Sequence, residues 1–411
     1  MKKWISLLLA VMMLLALCAC GETDTAVETA ETTAETTETT AAEETAEPAE
    51  QPPAKPEGEA SGEPSGEASG EASGSGDAPI SAANQKVPDH ADPIDFTPDE
   101  GASYLAFTGD QHGETPGYRV WLEDQLLVYG DSLSMLNYSG DICEKAWVQD
   151  VFDEWKGVLD ELVPGRYNVT TGNQEFKSGA PGPTWDEIGE GFKVCGEVAN
   201  TDDYIIYNIG ATTETYLFPQ EELEAIDAYL AAAHADKPIF VLSHYPLHLA
   251  CATATHSIPA TDHRQTENNG ELIDILNNYP NVIFLWGHNH TFQDPRYGTI
   301  CPAGSKMTWS YENPTDKKEI GFTYVNYGSF CRGDSYGMIA EVLRGEGGVN
   351  VYLNFVDTNV PMATKDSAVL TFGADGTVTA EVTAGTGIDY DEILSMSGYA
   401  DDPNFMDELR G

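Results

Sequence analysis

Seven side chains in this sequence combine the donor types and the placement that metal chemistry needs. They are Asp110, His112, Asp131, Asn173, His244, His288 and His290. Each belongs to a short polar cluster that directly follows an apolar stretch: Gly109-Asp110-Gln111-His112, Gly130-Asp131, Gly172-Asn173-Gln174-Glu175, His244-Tyr245-Pro246 and Gly287-His288-Asn289-His290. Three carboxylate or amide oxygens and four imidazoles exceed what one tetrahedral zinc takes, and they suit two adjacent first-row divalent ions bridged by one carboxylate. Such a pair can generate a hydroxide at neutral pH and clamp a phosphoryl group during in-line attack.

Taken singly, each cluster has a plainer reading. A lone Asp-x-His or Gly-Asp is common by chance and usually structural, and a single strand-end histidine is more often a packed residue than a ligand. Five clusters in one chain, each following an apolar run, reverse those odds. Gly140-Asp141 offers a second Gly-Asp pair, but no apolar strand candidate precedes it, so Gly130-Asp131 is preferred. Arg332-Gly333-Asp334 is set aside as a chance tripeptide.

The elements that must position these residues are legible as apolar runs. Strand candidates are Tyr104–Phe107, Leu126–Tyr129, Tyr167–Thr171, Tyr204–Asn208, Ile239–Leu242, Val282–Trp286 and Phe322–Asn326. Amphipathic helices alternate with them at a 3.6-residue period. One carries Val148, Phe152, Trp155, Leu159 and Leu162; a second begins at Pro219 and carries Leu223, Ile226 and Leu230; a third carries Leu272, Ile275, Leu276 and Tyr279. The separation of 21 positions from Asp110 to Asp131 leaves room only for a brief helix around Arg119–Glu123. Alternating strands and helices predict an α/β domain with the polar clusters at the carboxyl ends of strands, where open α/β sheets place ligands. After Gly337 come two hairpins, one turning in its Gly-rich centre and one at Asp375-Gly376.

The order GDxH, GD, GN, H, GHxH resembles the calcineurin-like metallophosphoesterase superfamily over roughly residues 102–356. The resemblance implies a four-layer α/β/β/α sandwich, here with a small C-terminal β-hairpin appendage. It also implies that Asp110, His112 and His290 hold one ion, that Asn173, His244 and His288 hold the other, and that Asp131 bridges them. The implied reaction is hydrolysis of a phosphomonoester or phosphodiester by a metal-bound hydroxide, with Asp131, Asn173 and Gln174 at the catalytic centre. The two divalent ions are manganese, zinc or iron, since imidazole and carboxylate suit each. Where the family pattern reads Gly-Asn-His, this chain has Gln174, which can donate a hydrogen bond but cannot supply a proton. No tyrosine stands three residues after Asp131, unlike the purple acid phosphatases. His248, His263 and Arg264, in the segment after His244, are candidates for substrate contacts, together with His256. The rival expectation is a metal-containing binding lipoprotein on the same fold, catalytically weak or inactive.

The rest of the chain concerns where such a site would work. Met1-Lys2-Lys3 followed by the apolar run Ile5–Leu17 reads as a signal peptide, and Leu17-Cys18-Ala19-Cys20 resembles a bacterial lipoprotein box with Cys20 as the lipidated residue. The chain is therefore expected to be exported and held to the membrane by an N-terminal lipid on the extracytoplasmic face. The expected division is a signal peptide over 1–20, a disordered acidic linker over 21–92, the phosphoesterase domain over 93–357, and a hairpin with an acidic tail over 358–411. The linker is low-complexity Glu/Thr/Ala and then Ser/Gly/Glu sequence with almost no large apolar residue to bury. Of a net charge of −48 over 411 residues, 52 acidic against 17 basic residues fall within 81–411. That charge excludes a nucleic-acid backbone as the main partner and leaves a small phosphate ester. The five cysteines beyond Cys20 are odd in number and lack metal-ligand spacing, so no bridge is assigned.

Overall fold

Two β-sheets pack face to face around a shared core, each with helices on its outer side. The computed structural model describes residues 89–90, 96–144, 147–176, 185–210, 218–247, 269–288, 300–308, 317–330, 336–357 and 368–382. In chain order the elements are β1 (Ser103–Thr108), α1 (Thr115–Tyr129), β2 (Leu133–Ser139), α2 (Gln149–Leu162), β3 (Tyr167–Thr170), the single turn α3 (Trp185–Ile188), β4 (Cys195–Asn200), β5 (Ile205–Ile209) and α4 (Gln220–Ala232). There follow β6 (Ile239–Leu242), α5 (Asn269–Leu276), β7 (Val282–Trp286), β8 (Ile300–Cys301), β9 (Lys306–Thr308), β10 (Lys317–Glu319), β11 (Thr323–Asn326), β12 (Tyr336–Gly345), β13 (Gly348–Asp357), β14 (Ala368–Gly373) and β15 (Val378–Val382).

One large sheet has seven strands in the order β15-β14-β13-β12-β1-β2-β3, the second has six in the order β4-β5-β6-β7-β11-β8, and β9 and β10 form a separate two-stranded antiparallel sheet. β1, β2 and β3 run parallel, as do β5, β6, β7 and β11. The period-two alternation of strand side chains divides the apolar residues among three cores. Leu105, Phe107, Phe240, Leu242, Ile283 and Leu285 point between the sheets. Tyr104 and Ala106 turn outward beneath Trp121 of α1 and Trp155 of α2. Ile239, Val241, Val282 and Phe284 turn outward beneath Leu223 and Ile226 of α4 and Leu272 of α5. Strands buried on both faces explain why β6 and β7 read as unbroken apolar runs. The layers are therefore α/β/β/α.

Three sequence expectations are corrected. The run Leu126–Tyr129 is not a strand but the last turn of α1, a 15-residue helix rather than a brief one. Its buried stripe of Tyr118, Trp121, Leu122, Gln125 and Tyr129 has helical spacing, while Leu127 is 73% exposed. The strand that follows is β2, whose apolar character is broken by Ser134, Asn137 and Ser139. Asn137 is buried because its amide donates to Ala106 O at 3.2 Å and accepts from Asn168 Nδ2 at 3.2 Å. Lastly, the C-terminal hairpin is no appendage. β14 pairs with β13 over six residues, and Ala368, Leu370 and Phe372 lie in the core between the sheets. The strands on either side of position 357 thus belong to one sheet.

Among the described residues no helix is long and apolar enough to cross a membrane. Among the described residues, Cys143, Cys195 and Cys301 form no disulfide with one another.

Candidate metal centre

The parallel strands end together, and their carboxyl ends build the site. β1 and β2 are paired so that Thr108 lies opposite Tyr138, which sets Gly109-Asp110 beside Gly140-Asp141. The Asp110 amide donates to Gly140 O at 3.0 Å and the His112 amide to Asp141 O at 3.0 Å. On the other sheet, Gly287 donates to His244 O at 3.1 Å, joining the ends of β6 and β7. Among the contacts that tie the sheets at this edge, His244 Nδ1 lies 2.7 Å from Ser139 O, and the His288 amide donates to both carboxylate oxygens of Asp110 at 3.1 and 3.0 Å.

The backbone here is strained in a way seen nowhere else among the described residues. Asp110, His112, Asp141 and His288 are the four described non-glycine residues with left-handed φ, at 57°, 49°, 55° and 70°. Such conformations cost on the order of 1–3 kcal/mol each and persist where surrounding structure over-determines them. Gly140 and Gly172 allow the closest approach: a Cβ on Gly140 would sit 1.9 Å from Gly172 N, and one on Gly172 would sit 2.4 Å from Asp141 Oδ1. Glu175 then knits the two loops, its buried carboxylate accepting the amides of Asp141, Ile142 and Gly172 at 2.9, 2.8 and 2.7 Å.

The aspartate at the centre of this cluster is Asp141, not Asp131. Asp131 lies in a one-turn 3-10 helix before β2, at the amino end of the strand, and is exposed. A seven-residue strand puts it about 20 Å from the carboxyl end. Asp141 is buried, with Oδ2 3.3 Å from His244 Nε2 and 3.6 Å from His112 Nε2. Two sets of three potential ligand atoms, each within 4.8 Å of one another, meet at this residue: Asp110, His112 and Asp141 form one, and Asp141, His244 and His288 form the other. Asn173 Oδ1 stands 3.1 Å from His244 Nε2, on the side of the second set. The separation from Asp110 is then 31 positions, and that is where α1 fits.

Of the other predicted residues, Gln174 is buried beside the cluster, its amide donating to Asp141 Oδ1 at 2.8 Å and its side-chain Oε1 without a hydrogen-bond partner. His290, His248, His256, His263, Arg264 and Cys20 lie outside the described residues.

The electrostatics are those of packed opposite charges. Burial pushes Asp141 up, but His244, His112 and His288 outweigh it and hold the carboxyl below the usual range. Burial pulls His244 down, yet Asp141 and Asp110 raise it to about 9. Glu175 is raised, first by burial and then by Asp141, against the pull of its three amide donors. Tyr327, buried under Gly109 and Gly287, is held well above 10 by burial and by the Asp110 and Asp141 carboxylates.

Two buried carboxylates, three imidazoles and a carboxamide form an oxygen and nitrogen donor set that fits a pair of first-row divalent ions sharing one carboxylate. Two mixed sheets packed face to face, helices outside, and this set at the strand ends decide the architecture. It is a four-layer α/β/β/α sandwich.

No family model matches the chain, and no curated protein does. Among solved structures, the chain is similar to the purple acid phosphatase PPD1 from yellow lupin (Lupinus luteus) seeds, with 14% identity and a TM-score of 0.45 over 72% of this chain and 55% of that one. It is similar to the phosphopantetheinyl hydrolase of Mycobacterium tuberculosis, with 16% identity and a TM-score of 0.31 over 56% and 90%. It is also similar to Vacuolar Protein Sorting 29 from Cryptosporidium parvum, with 12% identity and a TM-score of 0.28 over 68% and 96%. The chain thus spans about half the length of the lupin phosphatase. A fold does not by itself specify an activity, which has to come from the site residues.

Proposed function

We propose that this chain is a dimetal phosphoesterase that hydrolyses small phosphomonoesters or phosphodiesters. The observation that carries the reading is the sharing of Asp141 between two three-residue ligand sets, buried except for the half-buried His288. Asp110 and His112 would hold one ion and Asn173, His244 and His288 the other, with Asp141 common to both and His290 a further candidate for the first. The chemistry that manganese, zinc or iron supplies in such a pair is activation of water at neutral pH and neutralisation of phosphoryl charge.

The protein's own groups do the positioning. Glu175 fixes the two loops that carry Asp141 and Asn173, so both donors are preset. His244 is oriented by Ser139 O, which occupies Nδ1 and turns Nε2 into the cluster. Gln174, in the position where the family pattern has histidine, can hydrogen-bond an ester oxygen but cannot protonate a leaving group. The substrates that fit are those with good leaving groups. Gln174 is also the one observation favouring the second reading, a metal-containing binding protein with slow or no turnover.

The acidic surface repels polyanions and leaves a small ester drawn to the dications, with no role for nucleic acid. The signal segment and Cys20 support a lipid-anchored protein outside the cytoplasm, with residues 21–92 as tether. The test of activity is turnover of p-nitrophenyl phosphate and bis-p-nitrophenyl phosphate by the full chain with added manganese, compared with Asp141→Asn. Manganese uptake without turnover would support the binding reading. For the anchor, Cys20→Ala should move the protein from the membrane fraction to the medium.

A further inference from the structure

We propose that Glu144 is a positioning residue that fixes the tautomer of His112, a reading that rests on the metal centre proposed above. Glu144 follows Asp141 by three residues, and its Oε2 lies 3.3 Å from His112 Nδ1. The other ring nitrogen, Nε2, faces the opposite way, 3.6 Å from Asp141 Oδ2 and 4.0 Å from Asp110 Oδ1. The imidazole therefore spans from Glu144 to the ligand cluster.

A neutral imidazole has one N–H and one lone pair, and only the lone pair binds a metal. An ionised carboxylate has only lone pairs to offer. Facing Nδ1, it keeps the hydrogen there and leaves the Nε2 lone pair directed at Asp110 and Asp141. Carboxylate–histidine–metal arrangements of this type fix the tautomer and orient the ring. His244 has the same arrangement with a different acceptor, Ser139 O at 2.7 Å from its Nδ1. That backbone acceptor cannot be removed by a side-chain substitution, whereas the one behind His112 can. The His112 ring is 4% exposed and Glu144 is 25% exposed, so the carboxylate can be changed at the rim without opening the core.

The test uses the full chain stripped by chelation and titrated with Mn²⁺, with bound metal read by equilibrium dialysis and free Mn²⁺ by its EPR signal. Wild type should take up two ions. Glu144→Ala should weaken one of them by roughly 10–100-fold and leave the other unchanged. Glu144→Gln should stay near wild type, because its amide oxygen accepts the same N–H. Long-range ¹H–¹⁵N spectra of the metal-free chain in mildly alkaline buffer should show His112 as the Nδ1–H tautomer in wild type and Glu144→Gln, and as a mixture in Glu144→Ala. Undiminished binding of both ions by Glu144→Ala, or a loss in Glu144→Gln as large as in Glu144→Ala, would overturn the proposal. A wild-type chain that takes up no ion overturns the metal reading instead, and the His112 tautomer then decides the Glu144 contact alone.

Discussion

Asp141 and His244 meet across the two sheets with 3.3 Å between Oδ2 and Nε2, both fully enclosed. One comes from the end of β2 and the other from the end of β6, so this contact exists only once the sandwich has closed. It joins a group held in its charged form to one raised to about 9, and its stability has a calculable sign.

In the metal-free chain the His244 contribution should be complete below its ordinary value of 6.5 and fade as pH rises through about 9. The Asp141 contribution should be present above its ordinary 3.8 and fade in acid. The chelated wild type should therefore lose Tm between about pH 6.5 and 9 more steeply than chelated His244→Gln. Metal uptake must displace the His244 proton, so apparent metal affinity should climb over the same range. Parallel Tm profiles for the two proteins would refute this.

Gln174→His restores a group able to donate a proton. General acid catalysis is worth roughly 10²–10⁴-fold, so the gain should appear on an alkyl phosphate and be small on a p-nitrophenyl ester, whose leaving group needs little help. Steady-state rates on the two substrates decide it. A variant no faster on the alkyl ester would show that Gln174 is not what limits poor leaving groups.

Gly140→Ala should destabilise the chain by on the order of 3 kcal/mol or more, because the new Cβ would meet Gly172 N at 1.9 Å and Gly140 has φ 73°. Urea unfolding measures the loss, and metal uptake should fall with it, since Asp141 and Asn173 follow these two glycines. A cost under about 1 kcal/mol would mean that the loops pack less closely than described.

Phe372→Ala tests the C-terminal hairpin. Phe372 lies in the core between the sheets, so truncation should cost roughly 3–5 kcal/mol. A separate appendage would unfold in its own transition and leave the main one untouched.

Much of this architecture can be read from residue types. β6 and β7 have the bounds that their apolar runs suggest, because strands covered on both faces have no polar side to interrupt them. α2 and α4 follow the spacing of Phe152, Trp155 and Leu159 and of Leu223, Ile226 and Leu230. β2 was obscured because Asn137 is satisfied inside the core by Ala106 O and Asn168, partners that only the paired strands supply. Meanwhile Leu126–Tyr129 looks like a strand because the sequence does not show that Leu127 faces solvent. The exchange of Asp131 for Asp141 follows from that one error. Read as a helix, the stripe from Tyr118 to Tyr129 puts the end of the next strand at Gly140-Asp141. Glu144 had no local signal at all, since its contact with His112 is made by the loop after β2 folding onto the loop after β1.

The most direct measurement is manganese-dependent turnover of bis-p-nitrophenyl phosphate and p-nitrophenyl phosphate by wild type, Asp141→Asn and Asp131→Asn. The account predicts turnover by wild type, its loss in Asp141→Asn together with loss of bound metal, and wild-type behaviour in Asp131→Asn. Activity that survives Asp141→Asn but disappears with Asp131→Asn would contradict it.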